Sequence, residues 1–511
     1  MKQLQTQPLG MRVLRGAAAG FSIGILTNII LFGGQILIPR RLSRLEYADF
    51  TVSLSFVVLL SLIADFGMLH MHTRMLARAE EEVKVGQPDN RGIILGNILV
   101  SRLGLGIFVY ALIILLGLVF YPTRIVSCMA ILGITLFISS RLLIVRAAGE
   151  SVLRSLGKFH IAAGFACLDA VLFALLLAIP RKLSLNYILW TYTLCHTPGF
   201  ILLSLYVFRW IRRERIRIVI RPRMVMIMLK TATPLALSTA FFIAYNELDK
   251  LLLYSLGTLE NVSSYGAIIR LTVGLAPIPY ILSGIVAPEL TRLLFREDII
   301  RAQRLVEISL RGLLIVAGGA ALLFTSAAHV VVPLILGAKY ASDSSSFMLL
   351  NWLLLPLFIS SFTAEMAIAS GRFWLCMRYM AILLVCMLIG DLISIERFGV
   401  SGAVVSKVIA ATVSTAYLIF SLRASSFLNV KGVLITIAKV ICAIVVAIIP
   451  FFFLRGRGLN DLLVATAVVV LYISTIKVLG LFNVTELLAI LKRLKKNNAG
   501  QRFDKLEVIE A

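Results

Sequence analysis

Acidic residues are scarce in this chain. Asp and Glu total 26 against 50 Lys and Arg, leaving a net charge of +24. Histidine is scarcer, with five copies, and only His70 and His72 lie close together. At a spacing of two they fall on different sides of a helix, which excludes a shared metal ion. The six cysteines (Cys128, Cys167, Cys195, Cys376, Cys386, Cys442) sit in or beside apolar segments with no CxxC spacing. They read as small buried hydrophobes and neither as a metal site nor as a redox pair. No GxSxG, P-loop or HExxH motif occurs. No stretch is polar and long enough for a nucleotide-binding domain. These absences exclude most enzyme classes and any ATP-driven device within the chain, and they imply no cofactor and no metal.

Apolar sequence is abundant. Hydrophobic residues make up 59% of the chain and the mean hydropathy is +0.96, outside the range of soluble domains. A span needs about 20 predominantly apolar residues to cross the hydrocarbon core. The pattern predicts spans near 16–39, 46–69, 92–120, 124–146, 159–180, 185–208, 226–256, 261–291, 306–336, 345–369, 373–395, 399–422, 431–454 and 458–480. An all-α integral membrane protein of about fourteen transmembrane helices follows. The basic residues lie in short gaps between spans, which points to membrane topology and anionic lipid and not to nucleic acid. The first apolar run lacks an A-x-A-like cleavage site and reads as a retained helix.

Lys and Arg concentrate in alternate gaps: the N-terminus, 70–91, 147–158, 209–230, 292–304, 372–378, 423–431 and the C-terminus. Both termini are therefore expected in the cytoplasm. Arg40, Arg41 and Arg44, on the opposite side, run against this assignment and are outnumbered. Six spans precede the basic gap Arg209–Arg223 and eight follow it. The expected division is 1–208 (first lobe), 209–225 (basic linker), 226–424 (second lobe), 425–480 (two extra helices) and 481–511 (amphipathic tail). The linker reads either as a plain topology determinant or as a surface segment held by anionic lipid. Leu42-Ser-Arg-Leu-Glu46 before span two is echoed by Leu256-Gly-Thr-Leu-Glu260 before span eight. Two parallel six-helix repeats would produce such an echo.

Charge inside spans is where function is sought. An ionisable group at bilayer depth costs at least about 2.5–3.5 kcal/mol, so it is retained only beside a partner or a water-filled cavity. Arg102 and Arg270 lie deepest and are the first candidates for a cationic cavity, with Lys250 beside them. A guanidinium suits a phosphate or sugar acid. Their structural alternative is pairing with Asp169 or Asp249. Asp391 and Lys407 are expected to pair with each other. Glu365 has no evident partner and is the first candidate for a coupling ion, with Asp249, Asp169, Asp391 and Lys407 behind it. Pro277 and Pro279 fall in span eight, where a kink would serve as a hinge or merely be tolerated.

These residues carry a family likeness. Glu46-Tyr-Ala-Asp-Phe50 with Leu62-Ile-Ala-Asp-Phe-Gly67, then Asn246-Glu-Leu-Asp-Lys-Leu-Leu-Leu253, then Ser264-Tyr-Gly-Ala-Ile-Ile-Arg-Leu271, resemble the bacterial polysaccharide transporters. These are the O-antigen and exopolysaccharide flippases of the multidrug/oligosaccharidyl-lipid/polysaccharide flippase superfamily. Leu336-Gly-Ala-Lys-Tyr340 and Phe398-Gly-Val-Ser-Gly-Ala403 resemble two later loops. The resemblance implies two six-helix lobes, related by a pseudo-twofold axis, around a cation-lined cavity, with Arg270 at the family's helix-eight arginine. It also implies an undecaprenyl-diphosphate-linked oligosaccharide as substrate, a bacterial inner membrane, alternating access, and association with a glycan polymerase and glycosyltransferases.

Rival readings stay open at this point. A lipid II flippase or a cation-coupled drug antiporter would share the architecture, although an antiporter favours acidic cavity residues. A membrane glycan polymerase or glycosyltransferase would need a large outer loop, and the outer gaps are short. A structural partner in a glycan-synthesis complex would need neither.

Overall fold

The computed structural model describes residues 9–65, 68–140, 142, 144–180, 183–425, 427–454 and 461–481. Among them there is no strand. The helices are α1 (Leu9–Arg41), α2 (Arg44–Asp65), α3 (Met68–Lys84), α4 (Arg91–Phe120), α5 (Thr123–Gly133), α6 (Thr135–Ile138) and α7 (Arg146–Ser155). Then come α8 (Phe159–Ala178), α9 (Leu185–Leu194), α10 (Thr197–Arg213), α11 (Pro222–Leu256), α12 (Leu259–Val273), α13 (Pro277–Phe295) and α14 (Ile299–Ser326). The last are α15 (Ala328–Leu336), α16 (Ser344–Leu350), α17 (Leu354–Ala369), α18 (Phe373–Ser421), α19 (Val430–Leu454) and α20 (Asp461–Val478). Eleven stretches of the described residues are long and apolar enough to cross a membrane. Helices suit that solvent because each satisfies its own backbone polar groups. The expected amphipathic tail beyond Leu481 lies outside the described residues.

Helices form where the apolar runs predict them, but several runs are broken within. Span eight is two helices: α12 stops at Val273, and Pro277 opens α13. A proline fits that first position because the missing N–H would have no partner there. The residues expected at 373–395 and 399–422 form one run, α18, that reverses at Gly399, where φ is +53°. Glycine takes that left-handed conformation without steric cost. The two arms then lie antiparallel, with the Ser406 hydroxyl donating to the Met387 carbonyl at 3.0 Å. This places Asp391 and Lys407 on facing arms.

The echoed motifs are helix starts. Ser43 and Glu46 form a reciprocal capping box at the start of α2, with Ser43 N to Glu46 Oε2 at 3.0 Å and Glu46 N to Ser43 Oγ at 3.3 Å. At α12 the cap is Thr258, whose Oγ1 accepts from Asn261 N at 3.2 Å. Both satisfy orphan amides at a helix N-terminus, with the cap one position later in the second copy.

The basic segment 214–221 does not simply cross a gap. Its backbone docks on α4: Val219 N donates to Gly92 O at 3.3 Å, and Arg221 N donates to Asn97 Oδ1 at 2.8 Å. A Cβ at Gly92 would meet the Arg217 carbonyl oxygen at 1.9 Å, and one at Gly96 would meet that of Val219 at 2.6 Å. Small residues four apart on a helix admit a close backbone neighbour, here the non-helical linker. Arg91, at the start of α4, joins the same junction through Glu80 at 3.2 Å, Asp89 at 2.9 Å and Glu214 at 3.5 Å. The Arg91 guanidinium holds the Asp89 carboxyl below its usual range. Gly96→Leu is expected to overpack this seam at a cost of about 1–3 kcal/mol. Gly104→Leu, on the same helix with open space around it, should be close to neutral. Thermal unfolding of the two variants in detergent micelles distinguishes them.

Candidate functional site

The α1–α10 half and the later helices meet along α2, α11 and α12. Two glycines permit the closest approach. A Cβ at Gly266 would lie 2.9 Å from Thr51 Cγ2, and one at Gly274 would lie 2.1 Å from the Phe32 ring. Tyr47, buried in the seam, donates to the Gly266 carbonyl at 3.0 Å.

One end of this seam is held by basic residues. Arg44 pairs with Asp343 at 2.8 Å, donates to the Lys339 carbonyl from Nε at 3.0 Å, and lies over the Tyr340 ring. Arg40 donates to the Leu334 carbonyl at 3.1 Å, and the Lys339 ammonium donates to the Leu42 carbonyl. Arg41 donates to the Pro180 carbonyl at 3.1 Å. The arginines that ran against the charge count in the sequence therefore act as contacts between helix ends.

Alongside the seam lies a chamber of about 570 Å³. Asn28 and Gln35 of α1 and Thr51 and Ser55 of α2 contribute a polar wall, with Tyr192 of α9 beside it. The opposite wall comes from α11, α12 and α18 and carries Glu247, Lys250, Arg270 and Lys407. Lys250 pairs with Glu247 at 2.6 Å. Lys407 pairs with Asp249 at 2.5 Å and donates to the Tyr245 carbonyl at 3.1 Å. Arg270 differs from both. No acid lies within ion-pair distance of it among the described residues, and its Nη1 is buried without a hydrogen-bond partner. Its guanidinium rests over the rings of Tyr47 and Phe50, 5.5 and 5.6 Å from their centroids. Aromatic faces support a cation without neutralising it.

The structure brings Arg270, Lys250 and Lys407 together, but not Arg102. Arg102 is fully buried in α4, with Nη1 3.4 Å from the Ala64 carbonyl, and does not line the chamber. It lies beside His72, whose pKa burial and the Arg102 charge push down to about 3, leaving that ring neutral at pH 7. Depth along a span set the expectation for Arg102; the angle around the helix decides the outcome.

The expected partners also change. Asp169 pairs with Arg146 at 2.5 Å and accepts from Gly199 N at 3.2 Å, inside the α7–α8–α10 bundle and away from the chamber. Asp249 belongs to Lys407, so neither acid neutralises Arg102 or Arg270. The expected Asp391–Lys407 pair is replaced by Lys407–Asp249, because α11 brings a carboxylate 158 residues away in sequence closer to the ammonium. Asp391 stays fully buried on the opposite arm. Glu365 opens onto a side pocket of about 130 Å³ with Tyr280, Tyr379, Ser360 and Ser361. Pro277 borders the chamber at the α12–α13 break, and Pro279 is buried two residues on.

Sequence reasoning passed over the polar wall. Asn28 and Gln35 stand seven residues apart, and Thr51 and Ser55 four apart, so each pair lies on one helix face. That spacing in apolar spans was the available signal. Arg146, the last residue of the expected span four and the first of α7, was passed over as the partner of Asp169.

The sequence matches the family model for polysaccharide biosynthesis protein over residues 13–294. No curated protein matches it significantly. Among solved structures, the lipid II flippase MurJ in an inward closed conformation aligns with TM-score 0.68 at 15% identity, over 90% of this chain and 98% of that one. An inward-facing multidrug resistance MATE family transporter of the MOP superfamily aligns with TM-score 0.62 at 14% identity, over 87% and 100%. A MOP superfamily transporter from Pyrococcus furiosus, described for the reverse polarity of its binding pocket, aligns with TM-score 0.55 at 14% identity, over 83% and 96%. At these identities the likeness is one of fold: an all-helical, multi-pass membrane architecture.

Proposed function

Since this chain belongs to the polysaccharide biosynthesis protein family, we propose that it is a flippase for an undecaprenyl-diphosphate-linked oligosaccharide, such as an O-antigen, capsule or exopolysaccharide unit. The observation that carries this reading is Arg270, a cation without a counterion that faces a chamber of about 570 Å³. Arg270 is half-buried with its Nη1 unpartnered, so an opposite charge arriving in the chamber gains a charge-assisted contact there, and a diphosphate is such a charge. Lys250, on the preceding helix α11, lines the same chamber, already paired with Glu247, and supplements the field. The polar wall of Asn28, Gln35, Thr51 and Ser55 offers hydrogen bonds to sugar hydroxyls. A separate apolar groove of about 410 Å³, bordered by α14, α17, α18 and α19, is chemically suited to part of a polyprenyl chain.

In this reading the protein lies in the bacterial cytoplasmic membrane with both termini inside. The Arg44–Asp343 end is the outer end, so the chamber is shut towards the outside, and alternating access requires that contact to open. The exposed arginines of the linker face anionic headgroups. A drug antiporter is disfavoured by the uncompensated cation, since a cationic drug would meet like charge. Lipid II shares the diphosphate and is distinguished by its headgroup alone.

The test uses purified protein in liposomes with a fluorescent undecaprenyl-diphosphate oligosaccharide, scored by access of an external glycosidase. Protein-dependent movement of the glycan lipid, with lipid II moved far more slowly, is the expected result. Faster movement of lipid II would fit a lipid II flippase better, and movement of neither would overturn the reading.

A further inference from the structure

The reversal of α18 at Gly399 builds a charge cluster behind the chamber wall. Asp249 and Asp391 are fully buried and Lys407 nearly so. The Lys407 ammonium is engaged by Asp249 Oδ2 at 2.5 Å and by the Tyr245 carbonyl at 3.1 Å, and it lies 4.2 Å from the centre of the Tyr245 ring. Tyr265 donates to the same Asp249 oxygen at 2.5 Å, and Lys250 N donates to the other at 2.7 Å. Asp249 is thus fully satisfied.

Asp391 is not. Neither of its carboxyl oxygens has a hydrogen-bond partner among the described residues, and no cation lies within ion-pair distance of it. The groups facing it are Asp249 and Tyr245 from α11, Tyr265 from α12, and Ser406 and Lys407 from the returning arm of α18. Ser406 donates its proton to the Met387 carbonyl. The one ammonium of the cluster is committed to Asp249, which leaves Asp391 without a cation. Ionised, Asp391 would be a desolvated anion beside a second one; protonated, it leaves the cluster neutral. Buried carboxyl pairs that cannot both ionise hold one proton between them.

Lys407 connects this cluster to the chamber, whose wall it forms in part. We propose that Asp391 is a proton-binding site and that its proton travels with the anionic ligand. With the proton bound, the Asp249–Lys407–Asp391 cluster is neutral and sets no negative charge against a phosphate in the chamber. With the proton lost, the chamber wall becomes one unit more negative. Phosphate binding and proton uptake therefore reinforce each other. The translocated unit carries one less negative charge than the ligand alone, and the proposal assigns the neutralising charge to a proton on Asp391 and not to a sodium ion. This inference rests on the chamber binding a diphosphate.

The experiment is calorimetric titration of inorganic pyrophosphate into the full-length protein in nanodiscs, across pH and in buffers of different ionisation enthalpy. Wild type should take up as much as one more proton per pyrophosphate bound than Asp391→Asn. Its affinity should fall by up to tenfold more per pH unit above the titration of Asp391, because one proton is linked. The protonation of pyrophosphate itself is common to both proteins and cancels. Replacing choline with sodium should leave the affinity unchanged. An infrared difference spectrum on raising the pH should lose a protonated-carboxyl carbonyl band in wild type that Asp391→Asn never shows. This readout also holds if pyrophosphate binds weakly to the variant. Equal proton uptake in both proteins, or sodium-dependent binding, would overturn the proposal while leaving the chamber reading intact. Binding unaffected by Arg270→Ala, or absent from wild type, would overturn both.

Discussion

Arg270→Glu is expected to abolish translocation of the diphosphate-linked glycan while leaving the protein folded and in the membrane. The substitution replaces the chamber's uncompensated cation with an anion at the same place. Losing one partner of a buried charge-assisted contact costs about 2–5 kcal/mol, which is roughly 30-fold or more in ligand affinity. Reversal adds repulsion to that loss. Folding should suffer little, since Arg270 makes no ion pair among the described residues and rests on Tyr47 and Phe50. Arg270→Lys keeps the charge and loses the planar fork, so it should fall between wild type and Arg270→Glu. Liposome translocation rates per folded molecule give the order, and a Glu variant as active as wild type would remove Arg270 from the site.

Arg146→Met is expected to have the largest effect on stability, with no effect on substrate preference. Arg146 and Asp169 are both about 1% exposed and stand 2.5 Å apart. Removing one member of such a pair leaves an uncompensated buried charge and costs about 3–5 kcal/mol. His196 Nδ1 at 3.5 Å and the Gly199 amide remain near Asp169 and moderate the loss. Arg146→Met with Asp169→Leu together should recover much of the stability, because Asp169 no longer leaves an orphan charge and Glu150, which loses Arg146 at 3.5 Å, keeps Arg154 at 3.4 Å. A double-mutant cycle measured by unfolding in detergent reads the coupling directly. The outcome also separates Asp169 from the other acids. It is a bundle-internal ion pair, and translocation per folded molecule should not follow it.

These two arginines illustrate how far the chain is legible before folding. The spans read well because the bilayer imposes length and apolarity on each one locally, so their positions agree with α1, α2, α4, α8 and α11. The breaks were legible only in part: Pro277 announced the α12–α13 interruption, whereas the merging of two spans into α18 depends on the conformation of Gly399. Depth singled out Arg270 and Arg102 alike. Direction around the helix axis separates them, and that is set by packing against α2, which no single span encodes. Asp391 and Lys407 were recognisable as neighbours across a turn. Their true arrangement needed Asp249, brought in from a helix that precedes them by more than a hundred residues. The arginines at the α1–α2 junction misled for the same reason. Arg40 and Arg44 count as loop charges in sequence but reach across to Leu334 and Asp343.

The central claim is that the two halves move against each other along the α2–α12 seam to carry a glycan lipid through the chamber. Thr51 and Gly266 allow a direct test, because a Cβ at 266 would lie 3.6 Å from that of Thr51, within the roughly 3.5–4.5 Å that disulfides need. A Thr51→Cys, Gly266→Cys protein, with the exposed Cys442 changed to serine, should crosslink on oxidation. In liposomes it should move the undecaprenyl-diphosphate oligosaccharide when reduced, stop when oxidised, and resume on reduction. Translocation that continues at the same rate with the crosslink fully formed would contradict the account.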